Sequence, residues 1–238
     1  MNLRTTSQEL EKKQNLILKA FEVLYRHFGR QNWWPAETPF EVIVGAILTQ
    51  QTTWKNVEKV ISRLKGLGVL NPLALYNLSV DELAQLIKES GFYRLKAKRL
   101  KNFLEYFKQY NFDLEQLKKK SLQELREELL NIDGIGKETA DSILLYALDK
   151  PIFVVDNYTK RFGYRFGILK KDLKYDDIRN IFEESLKGKT TNETVDNFKE
   201  MHALIVELGK NFCKKKPDCS SCPLINDCER KGLENEYS

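Results

Sequence analysis

The four cysteines of this 238-residue chain fall in one short segment, Cys213-x5-Cys219-x2-Cys222-x5-Cys228. Where thiols are kept reduced, disulfides are disfavoured, so four closely spaced cysteines read as a metal site. Zinc ribbons usually bring two Cys-x2-Cys knuckles and this segment has one, whereas four thiolates also suit a [4Fe-4S] cluster; spacing alone leaves both open. A second constellation runs from Ser121 to Leu148: a capped helix, then Ile132-Asp133-Gly134-Ile135-Gly136-Lys137, then a helix through Ala140, Ile143, Leu144 and Ala147. Two glycines two apart allow a tight turn whose backbone N–H groups point outward at the next helix's start, where a phosphate is favoured. Lys137 adds a positive charge there. The same glycines also make a plain interhelical turn with a glycine C-cap. A third group is aromatic: all three tryptophans sit in Asn32-Trp33-Trp34-Pro35 and in Leu48-Thr49-Gln50-Gln51-Thr52-Thr53-Trp54. Such rings serve as core anchors or as walls for a planar ligand.

The elements that must position these residues are helices. Apolar residues recur at helical spacing, as in Ile17, Phe21, Leu24 and Phe28, and again in Phe40, Ile43, Val44 and Ile47. Thr38-Pro39-Phe40-Glu41 combines an N-cap, a first-turn proline and a capping glutamate, and Ser79…Glu82 and Ser121…Glu124 repeat the capping-box spacing. Alternating strand patterns are scarce; Pro151-Ile152-Phe153-Val154-Val155 has strand propensity but stands alone between helical stretches. An all-α fold is expected. Gly91-Phe92-Tyr93-Arg94-Leu95-Lys96-Ala97-Lys98-Arg99 offers a glycine turn and four cations, either for backbone phosphates or as a solvated helix face. The 39 basic and 34 acidic residues leave a net charge of +5, compatible with one basic face and insufficient to establish a polyanionic partner. The longest apolar stretch, Val42 to Leu48, is far short of the roughly 20 residues that span a bilayer, and the start Met1-Asn2-Leu3-Arg4 lacks the apolar core of an export signal. A cytoplasmic protein with no membrane partner is expected.

The hydrophobic helix, Gly-Ile-Gly-Lys, Thr139-Ala140 and apolar helix together resemble the hairpin of the endonuclease III (helix-hairpin-helix) superfamily of DNA glycosylases. Asn-Trp-Trp-Pro, Leu-Thr-Gln-Gln-Thr, Gly-Ile-Gly-Lys-Glu-Thr-Ala-Asp and Val-Val-Asp resemble its bacterial 3-methyladenine DNA glycosylase III branch over most of residues 30 to 170. The cysteine segment resembles the endonuclease III cluster loop, with five residues in the first gap where six are common.

The resemblance implies two helical lobes with a cleft between them for double-stranded DNA. Residues 31–149 would form a six-helix barrel with the helix-hairpin-helix, and residues 1–30 with 150–238 a terminal lobe carrying the cluster loop 213–228. Asp156, after the hairpin's second helix, would be the catalytic carboxylate: breaking an N-glycosidic bond builds positive charge on the sugar, which a fixed anion stabilises while it orients or deprotonates water. Trp33, Trp34, Pro35 and Trp54 would sandwich a flipped-out damaged base near Glu138, and Gln51 would fill the gap it leaves. Gly134, Gly136, Lys137 and Thr139 would meet the DNA backbone, and Cys213, Cys219, Cys222 and Cys228 would hold a [4Fe-4S] cluster. Strand-cutting members carry a lysine where this chain has Glu138; Lys137 is one step earlier, about 100° around the helix, so a monofunctional glycosylase without efficient lyase activity is expected. Electron-rich rings and a nearby carboxylate suit cationic N-alkylated purines such as 3-methyladenine and 7-methylguanine. The glutamate that adenine-excising members use corresponds here to Ala46. A damaged or mismatched pyrimidine, or an oxidised purine, is the second enzymatic reading; a non-catalytic iron-sulfur DNA-binding protein is the reading of another class. The chain is expected to act as a monomer.

Overall fold

The structure is a computed structural model and describes residues 3–233; the first residues of the N-terminal segment read above lie outside it. Every regular element among the described residues is helical, and no helix among them is long and apolar enough to cross a membrane. The chain divides into two compact units, residues 34–150 and the remainder on either side of them.

The middle unit holds α2 (Pro39–Leu48), α3 (Trp54–Gly66), α4 (Pro72–Asn77), α5 (Val80–Leu86), α6 (Tyr93–Lys108), α7 (Leu114–Lys118), α8 (Leu122–Leu130) and α9 (Lys137–Ser142). Thr38 caps α2, its side chain accepting from the Glu41 amide, and proline occupies the first turn. Apart from Pro39, all of α2 is buried, Glu41 included; a helix apolar all round belongs in the centre, and α2 packs against α3, α6 and α9. Buried Glu41 accepts from the Glu37 amide at 3.0 Å and pairs with Lys65 at 2.9 Å. Ser79 and Glu82 form a reciprocal capping box on α5. Ser121 caps α8 through the Glu124 amide, while the Glu124 carboxylate lies 2.6 Å from Lys120. Helix α9 runs directly into a π-helical turn, Ile143–Ala147, wholly buried.

One cation on α6 is internal. Lys96 is 1% exposed, and its Nζ donates to the Leu48 carbonyl at 2.7 Å and the Ser90 carbonyl at 2.5 Å. It therefore ties the end of α2, where the Thr49–Thr53 loop begins, to the root of the Gly91 turn, and is not one of the cations offered to phosphates. Burial, reinforced by Arg99, pushes its pKa down to about 8. Lys96→Met leaves two buried carbonyls without a donor, and an expected loss of about 2 kcal/mol lowers Tm by roughly 4–8 °C. Between pH 8 and the ordinary lysine range the folded chain has shed a proton that the unfolded chain still binds, so this group adds stability as pH rises. The gap between wild type and Lys96→Met should widen over that window in thermal melts; a constant gap would refute the assignment.

The other unit holds α1 (Leu3–Phe28), α10 (Asn157–Phe166), α11 (Tyr175–Leu186) and α12 (Thr191–Asn211). Helix α1 packs on α11 and α12, with Ile17, Ala20 and Leu24 buried, and α12 packs on α10 and α11. Residues 152–155 are buried yet form no strand, because side chains take their backbone donors: the Phe153 amide donates to Glu183 at 2.9 Å and the Val155 amide to the Tyr175 hydroxyl at 3.3 Å. This coil delivers the chain to the first turn of α10.

Candidate active site and cysteine pocket

Asp156 is the N-cap of α10, and its Oδ1 accepts from the Thr159 amide at 2.7 Å. Its other oxygen lies 3.6 Å from Nε2 of His202 on α12, with side chains 14% and 7% exposed. Burial alone would raise this carboxyl, but the His202 contact and the Thr159 amide outweigh it and hold the group below the usual carboxylate range. Asp156 is thus a nearly buried anion, hydrogen-bonded on one oxygen and facing His202 with the other. His202 was not foreseen; the available signal is a lone histidine inside the apolar run Met201-His202-Ala203-Leu204-Ile205-Val206. In the same unit, Trp33 is half-buried and the Lys210 ammonium lies 5.1 Å from its ring centre.

In the middle unit Trp34 and Trp54 pack edge to face, with ring centres 5.3 Å apart and planes at 85°. Tyr146, in the π-helical turn, stands 5.5 Å from Trp34. Gly45 on α2 makes room for them: a Cβ there would lie 3.3 Å from the Trp34 ring and 3.4 Å from Trp54. A base stacked on either indole would meet the edge of the other, not a parallel wall. Both indoles keep part of their surface accessible, and Pro35 and Glu138 are exposed. Gly45 and Tyr146 join this aromatic group without any sequence expectation having named them.

Gly134 adopts φ +90, and a Cβ there would fall 2.2 Å from Cγ of Arg99 on α6, so both conformation and contact require glycine. Gly136, the N-cap of α9, has φ −91 and open space where a Cβ would stand. The hairpin turn is therefore shaped by Gly134, while Gly136 keeps the approach to the helix start clear. Lys137 is exposed, and Thr139 is buried. Gln50 latches this turn: its Nε2 donates to the Gly134 carbonyl at 3.1 Å and to Thr139 Oγ1 at 2.9 Å, and its Oε1 accepts from Arg99. Gln51 is exposed in a left-handed conformation, φ +54, beside it. Gln50, Gln51, Arg99 and the 130–136 turn line one open groove.

All four cysteines line a single pocket together with Phe212, Ile225, Leu233 and Arg165. Among the described residues no three His, Cys, Asp or Glu side chains converge closely enough for a single metal ion. The four thiols nonetheless feel one another: burial chiefly, and the charges of Cys213, Cys228 and Cys219 in addition, push Cys222 up to about 11. Helix α10 braces the segment. Arg161 donates to the Cys213 carbonyl at 2.7 Å, and Arg165 donates to the carbonyls of Lys214 and Lys215 at 2.5 and 3.0 Å. The Arg165 guanidinium also lies 3.6 Å from Cys213 Sγ. Four soft donors around one small apolar pocket fit a thiolate-held cluster.

Residues 44–188 match the family of HhH-GPD superfamily base excision DNA repair proteins, and the chain belongs to that family. It is 49% identical over 223 residues, 93% of its own length and 99% of the relative's, to a provisionally named DNA repair glycosylase of Methanocaldococcus jannaschii. It is similar in structure to the Helicobacter pylori 3-methyladenine DNA glycosylase MagIII solved with 1,N6-ethenoadenine, with TM-score 0.70 and 31% identity over 85% of this chain and 97% of the other. It shares the fold of endonuclease III in a trapped covalent complex with DNA, with TM-score 0.77 and 23% identity over 91% of this chain and 96% of that one. The protein is a DNA-binding repair glycosylase of the helix-hairpin-helix class.

Proposed function

We propose that this glycosylase hydrolyses the N-glycosidic bond of alkylated purines such as 3-methyladenine and 7-methylguanine in base excision repair. The carrying observation is the aromatic group of Trp34, Trp54 and Tyr146 around Gly45. A planar cationic base everted from duplex DNA gains from electron-rich rings, and its positive charge already makes it a good leaving group. MagIII, at 31% identity, was solved with a modified adenine, which supports a purine-sized occupant. In this reading Asp156 is the reacting carboxylate, stabilising the positive sugar and orienting the attacking water. Trp33, Pro35 and Glu138 complete the base pocket with Trp34 and Trp54, Gln51 fills the vacated stack, and Gly134, Gly136, Lys137 and Thr139 hold the phosphate backbone. The barrel lobe is residues 31–149 and the cluster lobe residues 1–30 with 150–238, in a protein that works as a monomer on cytoplasmic DNA.

Cys213, Cys219, Cys222 and Cys228 hold a [4Fe-4S] cluster in this reading. When bound it supplies iron–thiolate cross-links that order the C-terminal segment, and Arg161 and Arg165 hold that segment's carbonyls to α10. The site has Glu138 where a Schiff-base lysine would stand, so lyase chemistry is expected to be inefficient. The test is release of free bases from methylated DNA, beside duplexes with oxidised purines or damaged pyrimidines, with borohydride trapping on abasic DNA. Preferential release of 3-methyladenine or 7-methylguanine with little trapped adduct is expected. Preferential excision of a pyrimidine, or a strong adduct lost in Lys137→Ala, would overturn the reading.

A further inference from the structure

A histidine buried in an apolar helix is costly unless its polar atoms have work to do. His202 is 5% exposed, and its neighbours on α12, Met201, Ala203, Leu204, Ile205 and Val206, are all buried hydrophobic residues. The Phe153 ring meets it edge-on at 6.3 Å, and its Nε2 faces Asp156 Oδ2 at 3.6 Å. Charged and titratable groups on α12 and on the helices packed against it make hydrogen bonds of their own. On α10, Arg161 is bound to the Cys213 carbonyl; on α11, Glu183 takes the Phe153 amide and Tyr175 the Val155 amide; on α12, Glu200 takes the Gln31 amide. Asp156 Oδ1 is occupied by Thr159, which leaves Oδ2 as the oxygen whose direction the N-cap bond does not fix by itself.

We propose that His202 is a positioning residue for base release, donating from Nε2 to Asp156 Oδ2 and so locking the carboxylate's rotation about its Cβ–Cγ bond. The inference rests on Asp156 being the reacting carboxylate. The present separation exceeds an ordinary hydrogen bond of about 2.8–3.0 Å, and such contacts tighten when substrate fills the site. A donor on this oxygen also opposes its protonation, in keeping with the lowered pKa of Asp156 despite burial.

The test compares two polar replacements. In His202→Gln the side-chain amide reaches about as far as Nε2; in His202→Asn it stops near Nδ1 and cannot serve Oδ2. His202→Asn is expected to lose on the order of tenfold or more in single-turnover base release with DNA affinity unchanged, and His202→Gln to recover most of it. Equal rates in the two variants, whether slow or wild-type, would overturn the inference. Independently of any replacement at 202, long-range proton–nitrogen spectra of the wild-type chain should show a proton on His202 Nε2 at neutral pH whose shift moves in Asp156→Asn. An unprotonated Nε2, or a shift that ignores Asp156→Asn, counts against it. Asp156→Asn in the same assay separates the two failures. If that variant stays active, the reading of Asp156 falls and the role of His202 with it; if it is inactive while the 202 variants match, only the role of His202 falls.

Discussion

Asp156→Asn is expected to slow base release about a thousandfold, while DNA affinity and melting temperature stay near wild type. The two halves of this expectation have separate causes. Asn caps helices about as well as Asp, so the bond from the Thr159 amide that starts α10 survives the change. The negative charge does not survive, and with it goes the stabilisation of a sugar that turns positive as the base departs. Replacement by alanine would confuse the two, because it removes the cap as well. In the wild type the carboxyl is held below its ordinary range, so the acid limb of the rate profile should lie lower than an unperturbed aspartate would place it. Its contribution to stability follows the same sign: fully present above the ordinary carboxylate pKa and lost as pH falls through the depressed value. The Asn variant shows neither pH dependence, and the N-cap bond it keeps is why its melting temperature at neutral pH stays near wild type. If it kept even a tenth of the wild-type rate, the charge of Asp156 would not be what drives the reaction.

Local chemistry was legible in the sequence, and long-range chemistry was not. Thr38, Ser79 and Ser121 announce their helices because a cap and its partner amide lie three residues apart. Reading most of the chain as helical followed from such signals and from apolar periodicity. Residues 151–155 kept a strand-like composition, but Tyr175 and Glu183, twenty and thirty residues on, answer their amides, and nothing local encodes that. Lys96 sits among cations that read as a solvated or phosphate-facing surface, yet only its neighbours in space show that its Nζ is enclosed by two carbonyls. The hairpin glycines were visible as a pair, but their unequal roles were not: Gly134 is set by Arg99, thirty-five residues away, and Gly136 by nothing in the chain. Gln50 was passed over for the same reason, since its partners stand 84 and 89 residues distant. The aromatic residues were identified by type, whereas their perpendicular packing depends on Gly45, which in sequence is one small residue in an apolar helix.

Cys222→Ser is expected to yield a protein without iron or sulfide whose chain beyond α12 is cut rapidly by protease, while helices α2 to α9 stay protected. After Asn211 the described chain has no further helix, and its backbone bonds are mostly short-range turns, such as the Cys222 amide to Cys219 and the Ile225 amide to Cys222, with one long-range bond from the Lys231 amide to the Arg165 carbonyl on α10. Its fully buried apolar side chains are Leu224 and Leu233, too little surface to hold some twenty residues against their conformational entropy. The Arg161 and Arg165 side chains fasten the near end of the segment to α10, and the Arg165 carbonyl receives the Cys228 thiol and the Lys231 amide at its far end, so the stretch between, with Cys219 and Cys222, is held mainly by its own turns. Cross-links through a metal centre would supply what is missing, and metal binding of this kind is folding free energy. Free thiols would not, since burial raises both Cys222 and Cys228 and disfavours their thiolates. Wild-type protein prepared without air should therefore contain iron and sulfide in equal amounts and lose the segment's protection when the iron is removed. Zinc in place of iron would retain the cross-linking argument and exclude the cluster, whereas a Cys222→Ser segment as protease-resistant as wild type would mean that the thiols hold nothing together.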